Sequence, residues 1–177
     1  MTKAKNRNTE LAVTTIGYEK AALSDFVSTL VEQGVSVLLD VREMPISRRR
    51  GFSKSALSQA VRDAGIEYQH ERRLGSPSQI RKRLKADGNY ARFFRDFAKY
   101  LVEQQDLLTS LANNLSGKVA LMCYERNQEE CHRTLVAEAL GRLVGTEPEH
   151  LKVSTGRLAD GEAKDPRVHI GQGISPA

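Results

Sequence analysis

Three side chains able to do chemistry stand in a row at Cys131-His132-Arg133: a thiol, an imidazole and a guanidinium. An apolar run over 119–122 precedes them and reads as a fully buried strand, leading through Cys123 and Tyr124 to Glu125. The polar residues 126–130 read as a loop. From Thr134 onward Leu135, Val136, Ala139, Leu140, Leu143 and Val144 recur at helical spacing, with Gly145 where such a helix would stop. The triplet is therefore expected where a strand hands over to a helix, which is where α/β proteins place their chemistry. A thiol at a helix N-terminus, beside Arg133 and His132, can hold a lowered pKa and serve as a nucleophile or a redox group. The plain alternative is a small buried residue in the first helical turn. A phosphatase-type loop, with its Cys and Arg bracketing a phosphate, is absent because only His132 separates Cys131 from Arg133.

Other groups extend the candidate site. His132 and His70 are candidates for proton transfer, and each could equally be a structural histidine. Asp40 and Glu125 end two apolar runs, where a carboxylate needs a reason to be, and both are taken as site residues. Arg42, Arg48, Arg49 and Arg133 suit recognition of a carboxylate or phosphate, although Arg42 could instead pair with Asp40 or Glu125. Tyr18, Tyr68 and Phe52 are available to stack on a base. Cys123, Cys131, His132 and His70 could in principle make a zinc set. Their spacing matches no compact zinc motif, so neither a metal nor another cofactor is expected. No Rossmann glycine fingerprint, phosphate-binding P-loop, G-x-S-x-G or H-E-x-x-H occurs.

These groups need elements to hold them. Residues 11–16 are strand-like and end at Gly17-Tyr18. A short helix follows, with Leu23, Phe26, Val27, Leu30 and Val31 on one face and Gly34 at its end. Residues 35–41 form a second apolar run. Strand, helix and strand in so short a span make a right-handed parallel βαβ unit. A basic loop, 43–53, leads to a helix for which Ser53 is a plausible N-cap. Residues 66–70 make a third strand, 78–86 a short basic helix, and 90–113 a long helical region that bends or is interrupted near 104–106. Residues 151–153 are expected as a short edge strand. The pattern predicts a Rossmann-like α/β fold: a three-layer sandwich around a mostly parallel sheet of four to five strands. One domain is expected over 11–153, with a polar extension at 1–10 and a weakly ordered tail at 154–177. In a parallel sheet the loops that follow the strands share one edge. That rule gathers 17–18, 40–50, 70–75 and 125–133.

Composition narrows the partners. Between residues 40 and 99 there are 15 Lys/Arg against 7 Asp/Glu, so this third of the chain carries +8 of a protein whose net charge is +5. That imbalance suggests an anionic small molecule or a nucleic acid, or else a solvated basic face. No apolar run is long enough for a membrane span and the first ten residues hold no apolar signal core. Two cysteines make no disulfide scaffold. A reduced, cytoplasmic protein is the expectation.

Several short motifs recur together here: Thr15-Ile16-Gly17-Tyr18, Asp40-Val41-Arg42, Ser47-Arg48-Arg49, Gly51-Phe52, Tyr68-Gln69-His70, Leu74-Gly75, Cys123-Tyr124-Glu125 and Cys131-His132-Arg133. In this order they resemble the family known as domain of unknown function 488, over roughly residues 13–153. The resemblance implies an α/β domain with a site built from those motifs, and it implies no particular reaction. The residues themselves favour an enzyme acting on a phosphate-bearing substrate, a nucleotide or nucleic acid. The alternatives are a nucleic-acid-binding module without catalysis and a redox-sensing thiol protein.

Overall fold

The computed structural model describes residues 10–155. Apart from Glu10, Ser154 and Thr155, the expected extension and tail lie outside the described residues. Five strands form one sheet in the order β3-β2-β4-β1-β5: β1 (Leu11–Gly17), β2 (Val37–Asp40), β3 (Glu67–His70), β4 (Gly117–Cys123) and β5 (Glu149–Leu151). Every pairing is parallel. The fold is thus the α/β, Rossmann-like sandwich that the pattern of elements predicts. Strands β2 and β4 read as unbroken apolar runs because both of their faces are covered by helices.

Helices α1 (Leu23–Glu32) and α2 (Lys54–Asp63) bury Phe26, Leu30, Leu57 and Val61 against Ile16, Leu38, Ala120 and Met122 on one face. Helices α4 (Tyr90–Val102), α5 (Gln105–Asn114) and α6 (Arg133–Val144) cover the other with Phe97, Leu101, Leu108, Val136 and Leu140, against Val13, Leu39, Val119 and Leu121. Helix α3 (Ser78–Asp87) buries no residue and packs along α4. The chain leaves β1 and β2 toward the first face and leaves β4, which lies between them, toward the second. Such a divergence opens a crevice at the carboxyl edge of a sheet.

Of four local expectations, the bounds of β2 and of the edge strand differ, while the break near Gln104 and the Ser53 N-cap fall where the sequence puts them. Strand β2 starts at Val37, because the Val35 amide is spent on the carbonyl of Leu30 at the end of α1. The long helical region breaks into α4 and α5 at Gln104, whose buried side chain accepts a bond from Arg73 Nε at 3.0 Å. The edge strand is Glu149–Leu151, so Lys152 and Val153 lie beyond the ladder. Ser53 does occupy the N-cap of α2, yet its hydroxyl bonds to the backbone of Ser47 and so fastens the basic loop to the helix.

Two glycines let the rim loops close on one another. A Cβ on Gly17 would stand 1.9 Å from the carbonyl oxygen of Glu125, and one on Gly75 would stand 2.1 Å from the amide of Glu43. No side chain larger than hydrogen fits at either place.

Candidate functional site

A cleft of about 570 Å³ opens at the carboxyl edge of the sheet. One side comes from the loop after β2, with Glu43, Met44, Ile46, Ser47, Arg48 and Arg49; α3 and α4 supply Arg81, Lys85 and Phe93. The chain after β4 supplies Cys123, Tyr124, Glu125 and His132, and Tyr18 enters from the end of β1. Loops distant in sequence do meet here. Asp40, Tyr68, His70, Cys131 and Arg133 are not on the cleft lining.

Asp40 is fully buried and forms the hub of a closed network. Arg42 reaches it through Nε to Oδ1 at 2.8 Å and through one terminal nitrogen to Oδ2 at 2.6 Å, while the Tyr68 hydroxyl donates to Oδ2 at 2.7 Å. The other terminal nitrogen of Arg42 donates to the Tyr18 hydroxyl and to the Phe52 carbonyl, at 3.0 and 2.8 Å. Four of the five guanidinium N–H donors are therefore used internally. Burial pulls the Arg42 pKa down, but the bond to Asp40 and its charge raise it above the ordinary value. Burial and the Asp40 bond push the Tyr68 hydroxyl up as well. The structure places these three apart from the site reading: Asp40 and Tyr68 are buried off the cleft lining, and Arg42 makes the pair with Asp40 that the sequence left open, bordering the cleft as part of its floor. Phe52 is likewise fully buried, stacked on Tyr18 with ring centroids 4.4 Å apart.

Arg133, expected to hold an anion, is not on the cleft lining. It is 1% exposed, and its terminal nitrogens donate to the carbonyl oxygens of Glu125 and Arg126. It pins the loop that carries Glu125. His70 bonds through Nε2 to the carbonyl of Arg42 at 2.9 Å, which ties β3 to the loop after β2. Both side chains hold backbone in place.

Cys131 does not sit in the first turn of α6. It ends a 3-10 turn, Gln128–Glu130, in an extended conformation, and His132 occupies the N-cap. The thiol is 1% exposed, and burial together with the neighbouring Cys123 thiol pushes its pKa well above the ordinary value. A nucleophilic thiolate at neutral pH is disfavoured there. Cys123, at the end of β4 and level with Gly17 across the ladder, is the thiol on the cleft wall. Its Sγ lies 3.9 Å from His132 Nδ1, and His132 Nε2 bonds to the carbonyl of Val41 at 3.0 Å. Glu125 lies against this group. Burial raises its carboxyl, but contact with the Cys131 thiol, its own backbone, His132 and Cys123 outweighs burial and lowers it, so it is a carboxylate at neutral pH.

The cationic side of the cleft is clearer. Arg48 is exposed and Lys85 is exposed, and neither has a protein partner among the described residues. Arg49 uses Nε on the carbonyl of Ala21 at 2.9 Å, which leaves its two terminal nitrogens unengaged among the described residues. Arg81 is paired with Glu43. Sequence reasoning passed over Tyr124, Met44 and Ile46. Each lines the cleft and is exposed, and Tyr124 stands edge-on to Tyr18 with centroids 5.4 Å apart. A tyrosine next to the Cys123 strand end was the only signal available for this surface.

Among the described residues no helix is long and apolar enough to cross a membrane. No curated protein and no solved structure matches the chain. A family model, described as Domain of unknown function DUF488, matches residues 22–140, more than half of the chain and all but Tyr18 of the cleft lining. The chain belongs to that family.

Proposed function

We propose that the protein is a cytoplasmic enzyme that acts on a phosphate-bearing substrate, a nucleotide or a nucleic-acid strand, bound in this cleft. The observation that carries this reading is one cavity lined both by unengaged cations and by the Glu125 carboxyl beside the His132 imidazole. Arg48, Lys85 and the terminal nitrogens of Arg49 receive phosphate oxygens. Tyr124, with Met44 and Ile46, offers the apolar face on which a base stacks. Glu125 accepts a proton at the reacting centre, and His132 fixes the wall behind it.

A second reading, a binding module without turnover, draws on helix α3. It carries Arg81, Lys82, Arg83 and Lys85, buries none of its residues and extends the positive charge away from the cleft. Incubation of the chain with nucleoside mono-, di- and triphosphates and with short single strands separates the two. An enzyme consumes one of them, and Glu125→Gln keeps binding while losing at least about 100-fold in turnover. Salt-sensitive binding of strands without turnover selects the module. Absence of any binding at low salt removes both. Burial of Cys131 with a raised thiol pKa speaks against the redox-sensing alternative.

A further inference from the structure

Two thiols and an imidazole converge behind the cleft wall. The Sγ atoms of Cys123 and Cys131 and a ring nitrogen of His132 all lie within 4.8 Å of one another, and all three residues are buried. Counted along the chain, these residues resemble no compact zinc motif, because the ligands come from the end of a strand and from the entry to a helix nine residues later. The fold removes that separation. His70, the fourth member of the set conceivable from sequence, is not in this group. We propose that Cys123, Cys131 and His132 bind one divalent transition-metal ion of the zinc class, with the fourth coordination position open to the cleft.

Three further observations support the site. Tetrahedral zinc with Zn–S near 2.3 Å and Zn–N near 2.0 Å puts sulfur and nitrogen about 3.6 Å apart, and Cys123 Sγ is 3.9 Å from His132 Nδ1. The other ring nitrogen faces the Val41 carbonyl at 3.0 Å, so it carries the hydrogen and leaves the lone pair of Nδ1 toward the thiols. A backbone carbonyl holding a histidine in this way is the usual outer partner of a metal-ligating imidazole. Finally, Glu125 Oε2 is buried without a hydrogen-bond partner, and Glu125 shares the cleft wall with Cys123 and His132. A water on the open position supplies the partner that this oxygen lacks. Binding of the ion releases the two thiol protons, leaving two thiolates, one neutral imidazole and a dipositive ion. An ion held there would supply Lewis acidity to the cleft beside Glu125.

The site is independent of the phosphate reading, since none of its ligands is a cleft cation. The experiment is titration of the reduced, chelator-treated full chain with Co²⁺ alone and with Zn²⁺ alone. The expected result is one ion per chain, an intense thiolate-to-cobalt charge-transfer band, displacement of Co²⁺ by Zn²⁺, and a change in the visible cobalt bands on adding azide. Cys131→Ser and Cys123→Ser should each weaken zinc binding at least about 100-fold while circular dichroism shows the fold retained. If the serine variants do not fold, the wild-type cobalt spectrum decides alone. A spectrum without the thiolate band overturns the site, as does a reduced chain that takes up no metal. A thiolate band indifferent to azide overturns the open position. Arg48→Ala/Lys85→Ala should bind cobalt like the wild type; loss of phosphate binding with retained cobalt binding separates this inference from the functional one.

Discussion

The imidazole of His132 joins two strands' worth of loop: its Nε2 bonds at 3.0 Å to the carbonyl of Val41, 91 residues earlier in the chain. The ring also meets the edge of Phe97, with centroids 5.0 Å apart. Replacement by Gln keeps some polarity but loses this placement, and leaves the Val41 carbonyl short of its donor. Stability is expected to fall by about 1–3 kcal/mol, measured as a lower urea midpoint at an unchanged slope. An unaltered midpoint would show that the bond contributes nothing.

The network around Asp40 gives an ordered series. Tyr68→Phe removes one of the donors to Oδ2 while Arg42 still serves it, at a cost of about 1–2 kcal/mol. Asp40→Ala leaves the Arg42 guanidinium buried without its counter-charge and should cost about 3–5 kcal/mol. Chemical denaturation of the two variants tests the ranking. Equal losses, or a smaller loss for Asp40→Ala, contradict the assignment of this network to structure.

Arg48→Ala with Lys85→Ala probes the cleft cations. Both are exposed and unengaged among the described residues, so stability should move by no more than about 0.5 kcal/mol. Affinity for a nucleoside triphosphate should fall, and its dependence on salt should become shallower by roughly the two charges removed. Isothermal titration at several salt concentrations reads both. An unchanged salt slope means that these side chains meet no phosphate.

Gly17→Ala would press a methyl group into the Glu125 carbonyl, at 1.9 Å in the undisturbed geometry. One of the two loops has to retreat, and each of them carries part of the cleft. An expected loss of about 2 kcal/mol or more should therefore come with loss of ligand binding. Thermal melts and a binding titration on one preparation check the pairing.

Alkylation separates Cys131 from an ordinary thiol. Cys131 is 1% exposed and its pKa is raised, so little thiolate exists near neutral pH and little of it can be reached. In the reduced, metal-free protein iodoacetamide should label Cys131 more than about 10-fold slower than a free thiol, with full labelling only in denaturant. Fast labelling below pH 7 would restore the redox-sensor reading.

Much of this fold is written in short apolar runs. Val119, Ala120, Leu121 and Met122 announce β4, and the carboxyl-edge rule gathers the loops around it correctly. What the chain does not spell out is how each polar group is spent. Arg42, Arg48 and Arg133 look alike as letters. Whether a guanidinium is consumed by carbonyls, as Arg133 is, or left facing a cavity, as Arg48 is, depends on neighbours many residues away. Arg42 came with a local clue, since Asp40 lies two residues before it. The Arg133 clamp on Glu125 and Arg126 had none. For Cys131 both a reactive and a buried thiol were legible, but its place was not, because the 3-10 turn before it replaces the helical turn that periodicity suggested. Tyr124 was legible only as part of the Cys123-Tyr124-Glu125 motif, because a lone tyrosine after a strand is common on protein surfaces.

The central strand of the sheet is the fourth one made. β1 and β2 never pair with each other; each pairs with β4, which inserts between them. Until Gly117–Cys123 has been synthesised, a chain emerging from the ribosome can pair β2 only with β3, and β1 has no partner at all, because β5 is made later still. The last residue of that strand is the thiol on the cleft wall, so the moment at which the sheet becomes continuous is also the moment at which the pocket acquires its far side.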